Sequence, residues 1–380
     1  MKKQAKYTTI LILAFLTIAC EKVPVNNSTM GIELVPPLGY ITFNTDVATK
    51  AETVTSLKGK SFGVYGFSYS TSTDWGTTRP VAYPDVFQNM IVTCDATTGV
   101  PSYDASSEDG VQLVPWNLLR YYSFFAYYPY ADGSKVVASE NKNDVPTVTY
   151  TLPLSENPVN PDNMVDLMTA HAIDRDPVKS AVVGFNEPYA DDTPVCEFQH
   201  RLFCLEVVSQ NFNDNKDEKI KNPQLVINNL KFSKIIVPLQ KGDSKYPVTT
   251  VERSSGPGAL TFDIAGENGG AGGSKDSEII VYAQNSPDYK GPVTLSGTRN
   301  VMLIPQESLS GKITFELYDN DINSATYQKW VSFEQAFESK VLFEEGSKYT
   351  LSVNFTGDAI VIVLSEAGSW ESLPVNYEFS

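Results

Sequence analysis

The chain has 380 residues, with 45 acidic against 29 basic side chains and a formal net charge of −16. That balance speaks against nucleic acid as a partner, because a phosphate backbone needs a basic face, and it suits a protein held in solution outside the cell. Roughly 360 residues follow Cys20, too many for one small domain, and they read as two.

The first segment is a targeting signal. Lys2, Lys3 and Lys6 form a positive start, and Tyr7 to Ile18 is an apolar run that ends at Ala19-Cys20. The run is shorter than the ~20 apolar residues of a spanning helix, so it reads as a cleaved leader. A small residue directly before a cysteine matches a bacterial lipoprotein signal, in which the Cys20 thiol is acylated and becomes the new N-terminus. An ordinary secretory signal with an incidental cysteine is the alternative. No later segment is long and apolar enough to cross a membrane.

Beyond the leader, short runs rich in aromatic and β-branched residues recur between Gly, Pro, Asn and Asp, the pattern of many short strands. They are Tyr40 to Phe43, Phe62 to Phe67, Tyr121 to Tyr128, Thr147 to Leu152 and Phe198 to Val208. Gln224 to Phe232, Glu278 to Tyr282, Val301 to Ile304, Lys312 to Tyr318, Lys348 to Phe355 and Ala359 to Leu364 follow. Trp330 to Phe337 is expected to form a short helix or a loop, and Asn213 to Glu218 a polar hairpin tip. Without β–α alternation the expected fold is all-β, built of sandwiches. The polar, proline-bearing stretch 186–194 marks a boundary between residues 21–190 and 191–380, and Gly266 to Lys275 reads as a flexible loop.

Residues suited to catalysis are scarce. The two histidines, His171 and His200, lack the i+3 or i+4 partner of a zinc site. His200 shares a strand face with Phe198 and Leu202 and is expected to be a hydrogen-bonded structural residue. Cys94, Cys196 and Cys204 make an odd set that reads as packed thiols rather than a disulfide framework. Asp319, Asp321 and Asn323 imitate the start of a calcium loop, yet Ser324 and Trp330 stand where the turn glycine and the bidentate glutamate belong, so a solvated turn is expected. Trp75 and Trp116 could stack on sugars, or pack in a core. No catalytic residue, metal ligand or cofactor site is assigned.

Several stretches, taken in order, resemble the fimbrillin family of Bacteroidetes. Thr49-Lys50-Ala51 stands where that family has a Thr-Arg-Ala-like processing site. Phe62 to Phe67, Tyr121 to Tyr130 (ending Ala-Tyr-Tyr-Pro-Tyr), Asp166-Leu-Met168, Phe198-Gln-His-Arg-Leu202, and Glu345 to Leu351 with Trp370 resemble its further motifs. The resemblance implies two tandem transthyretin-like β-sandwich domains, no enzyme activity, and an outer-membrane lipoprotein precursor anchored through Cys20. It also implies cleavage between Lys50 and Ala51 that removes a first strand near residues 38–45. The vacated groove would take a strand from another fimbrial subunit. The chain departs from the pattern in carrying Lys50 where arginine is commoner, and in having ten residues after Trp370, a short donor tail; a tip or accessory subunit fits better than a stalk subunit. A host protein or glycan receptor is an expected further partner. The rival reading is a surface glycan-binding lipoprotein of a nutrient-uptake system, which needs an exposed aromatic platform; a hydrolase is a weaker third.

Overall fold

Aromatic and β-branched side chains crowd the preceding turn of a helix but lie freely on a pleated sheet. In the computed structural model the chain accordingly forms strands, and among the described residues the only helical turn is the 3-10 segment Pro161–Asn163. The structure describes residues 41, 43, 46–47, 56–70, 75, 84–103, 114–115, 117, 119–130, 135–139, 145–175, 197–240, 252–264, 278–295, 300–357, 359–367 and 375–378. The first ten strands are β1 (Asp46–Val47), β2 (Ser61–Ser70), β3 (Phe87–Cys94), β4 (Pro101–Ser102), β5 (Arg120–Tyr128), β6 (Val136–Ser139), β7 (Thr147–Thr151), β8 (Met168–Arg175), β9 (Glu197–His200) and β10 (Phe203–Asn211). The others are β11 (Glu218–Pro238), β12 (Glu252–Asp263), β13 (Ile279–Val281), β14 (Val293–Thr294), β15 (Val301–Leu303), β16 (Leu309–Tyr318), β17 (Trp330–Ser339), β18 (Lys348–Thr356), β19 (Ala359–Ala367) and β20 (Val375–Glu378).

Among the described residues the strands form three sheets. The first has the order β1-β9-β8-β5-β2-β3-β4. The second runs β14-β10-β18-β19-β20, with β15 also on β10. The third runs β17-β16-β11-β7-β6, with β12 and β13 on β11. The second and third sheets face each other as a sandwich: Leu205, Val207, Leu351 and Val353 from one meet Ile227, Ile235, Ile313 and Phe337 from the other in one apolar cluster.

The first sheet is buried on both faces, which is why β2 and β5 read as continuous apolar runs rather than as alternation. Tyr65, Phe67, Phe125 and Tyr127 join the sandwich cluster on one face. Phe62, Val64, Tyr122, Phe124 and Ala126 form a separate cluster on the other. Strands also cross residue 190 in both directions. β7 pairs with β11 of the third sheet, and β9 belongs to the first sheet.

Three local expectations are corrected. Trp330 to Phe337 is a strand, not a helix or loop. Its rings at positions 330, 333 and 337 imitate helical spacing, but the hairpin partner β16 decides the matter through Tyr318–Trp330 and Phe315–Phe333 cross-strand pairs at 5.2 and 6.2 Å. Phe198 to Val208 is not one strand, because the chain leaves the first sheet after His200 and enters the second at Phe203. Asn213 to Glu218 is not a hairpin tip, since the strands it joins, β10 and β11, lie in different sheets.

Candidate functional site

The cover of the second cluster on the first sheet includes residues of the segment expected to be removed. Ile41 and Phe43, two apart in an alternating sequence, are 1% and 5% exposed. Phe43 touches four rings: Phe87 and Tyr103 at 5.5 Å, Phe124 at 6.1 Å and Phe62 at 6.4 Å. These rings come from β2, β3, β5 and the loop after β4. Gly66 makes room for two of them, since a Cβ there would stand 2.8 Å from the Phe87 ring and 3.2 Å from that of Phe124.

The backbone of the segment is tied as well. The Ile41 N–H donates to the Val114 carbonyl at 2.8 Å, and the Tyr103 hydroxyl donates to the Ile41 carbonyl at 2.7 Å. Burial raises the Tyr103 phenol above its ordinary value, against the Val114 N–H bond that lowers it, so the group stays a donor. A few residues on, β1 pairs in parallel with β9, Asp46 opposite Glu197 and Val47 opposite Phe198. Phe198 then closes the cluster, its ring 5.2 Å from Phe62. One segment therefore fills an apolar slot and completes a sheet edge.

Cys20, Lys50 and Ala51 lie outside the described residues, as do Trp116, Cys196, Trp370, the stretch 186–194 and the glycine-rich stretch 266–275. Of the first strand expected near 38–45 only Ile41 and Phe43 fall among the described residues, and β1 follows at Asp46–Val47. Lys58 and Lys60, the next lysines, are exposed but pinned in a turn by the Gly59 N–H to Cys94 and Lys60 N–H to Leu57 bonds.

The other sequence candidates resolve individually. His200 is buried, with Nδ1 at hydrogen-bond distance, 2.8 Å, from Oδ1 of Asp166. Cys94 and Cys204 are both buried. Asp319 and Asp321 accept N–H bonds from Asp321 and Asn323 within their own turn, and among the described residues no group of three or more His, Cys, Asp or Glu is placed to hold a metal. Trp75 is 2% exposed, its ring 4.9 Å from Phe125 and its Nε1 3.3 Å from Gln240, so it offers no surface for stacking on a sugar. Sequence reasoning missed Tyr103, Val114 and Phe87 as walls of the slot. They lie in unrelated stretches, and nothing in a single sequence ties them to residue 43.

A family model described as "Fimbrillin-like" matches residues 49–370. No curated protein matches the chain. Among solved structures, a fimbrial protein from Bacteroides vulgatus is similar in fold, with 16% identity and a TM-score of 0.55 over 90% of this chain and 99% of that one. A candidate cell adhesion protein from Bacteroides ovatus has 14% identity and a TM-score of 0.46 over 90% and 98%. With the family model covering most of its length, the chain belongs to the fimbrillin-like family of non-enzymatic structural proteins.

Proposed function

We propose that this chain is a tip or accessory subunit of a cell-surface fimbrium, assembled by strand exchange after proteolysis. Family membership supports the coarser statement, a fimbrial or adhesin subunit at the cell surface. The finer reading rests on one observation: the segment holding Ile41, Phe43, Asp46 and Val47 fills an apolar slot and caps the β9 edge together.

Cutting after Lys50 frees that segment from the rest of the chain. Once it leaves, Phe62, Phe87, Tyr103 and Phe124 lose their cover, and β9 presents unpaired N–H and C=O groups. A strand from another subunit, with apolar residues at alternate positions, restores both at once. In the same proposal Cys20 carries the acyl anchor to the outer membrane, and the chain is organised as two sandwiches, residues 21–190 and 191–380, which share strands across the boundary.

Digestion of the full chain by a lysine-specific protease, followed by mass spectrometry and sizing, tests the reading. The expected first cut falls between Lys50 and Ala51. The expected product binds a donor strand peptide and melts at a higher temperature with it. A first cut elsewhere, or a product indifferent to donor strands, defeats the proposal.

A further inference from the structure

We propose that the buried junction of Asp166, His200, Arg201 and Glu345 is a conformational relay that senses whether the β1 position of the first sheet is occupied. Its purpose rests on the strand-exchange reading, whereas its test needs neither cleavage nor a donor strand.

β9 is four residues long and is held at both ends by different means. Its first half depends on the segment before residue 48: Glu197 pairs with Asp46 and Phe198 with Val47 of β1, and Phe198 packs into the cluster that Phe43 fills. Its second half joins β8 through only two register pairs, Thr169 with Gln199 and Met168 with His200. Beyond these lies the junction. His200 bonds Asp166 at 2.8 Å, both side chains being 5% exposed or less. Arg201, 4% exposed, reaches Glu345 at 3.4 Å. The Arg201 N–H donates to Leu167 and the Gly346 N–H to Leu202. Three segments distant in sequence thus meet where the chain passes from the first sheet to the second.

The junction is closed but not fully satisfied. His200 Nε2 and Arg201 Nε are buried without a hydrogen-bond partner. Each regains a partner in water if the junction opens, so closure depends on the packing around it. Emptying the β1 position strips β9 of its outer ladder and takes Ile41 and Phe43 out of the cluster that Phe198 closes. The junction then loosens, and a strand arriving at β1 closes it again. By linkage the coupling runs both ways: loosening the junction must weaken the hold on residues 41–47.

Hydrogen exchange on the full-length chain, read by mass spectrometry, tests this. Asp166→Asn is expected to accelerate exchange in residues 41–47 by roughly 5- to 150-fold, the usual range of such coupling, while β16–β17 amides stay as in the unaltered chain. Phe43→Ala is expected to accelerate residues 198–202 and 345–346 in return. His200→Gln, a milder change, serves if Asp166→Asn does not fold. The relay is overturned if exchange rises at 200–202 while 41–47 is unchanged, or if β16–β17 rises equally, which marks general destabilisation.

Discussion

Burial raises several of the described ionisable side chains above their ordinary values. Cys204 lies in the core of the second sheet, where burial pushes its thiol from the ordinary 9.0 up to about 12, against the lowering influence of Lys348. The thiol is therefore neutral and inert in the folded chain, and alkylation is expected to proceed only at the rate of unfolding. The pH dependence has a definite sign. A group whose pKa is raised on folding lets the unfolded chain release its proton first, so stability falls between about pH 9 and about pH 12. Tyr103, Tyr122 and Tyr349, also raised by burial, act in the same direction, and alkaline melting curves check it. His200 is a second case. His200→Gln is expected to cost about 1–3 kcal/mol of stability, because it disturbs a buried side-chain hydrogen bond, and to change no metal content. A denaturant melt and an elemental analysis of the purified protein measure both.

At the scale of the element, close approach decides what each strand tolerates. Gly311 on β16 lies close against its sheet neighbour β11, and a Cβ there would overlap the Val226 carbonyl oxygen. Gly311→Ala is expected to cost more than about 4 kcal/mol, since backbone rather than a flexible side chain would have to move, and a failure to fold in expression trials would be the extreme form of that outcome. Phe43 makes the opposite test. Phe43→Ala removes a ring that touches four others and is expected to cost about 3–5 kcal/mol, chiefly within the cluster on the first sheet. A melt gives the size, and comparison with donor-peptide binding by the cut protein tells whether the same slot is concerned.

On the scale of the whole molecule, attachment and assembly are separable. Cys20→Ser is expected to abolish acyl labelling and to move the precursor out of the membrane fraction; unchanged labelling would refute the anchor. One acyl chain holds only marginally, so stable attachment calls for more than one. In the proposed mechanism assembly depends instead on Lys50. Lys50→Ala is expected to stop lysine-specific cleavage before β2 and to leave a chain that neither associates nor takes a donor strand, as sizing would report.

The all-β character was legible in the sequence because aromatic and β-branched runs between turn residues leave few other outcomes. The family was legible too, since Asp166-Leu-Met168, Phe198 to Leu202 and Glu345 to Leu351 stand in order along the chain. Their meaning was not. Only the tertiary structure joins the three motifs, through the Asp166–His200 and Arg201–Glu345 pairs, because contacts between residues more than thirty positions apart leave no periodic trace in one sequence. The strand at Trp330–Ser339 was hidden for a related reason. Its ring spacing suits a helix, and the hairpin partner overrides that local preference. Which residues would line the slot around Phe43 was likewise decided by sheet order, which brings β2, β3 and β5 beneath one short segment from the start of the chain.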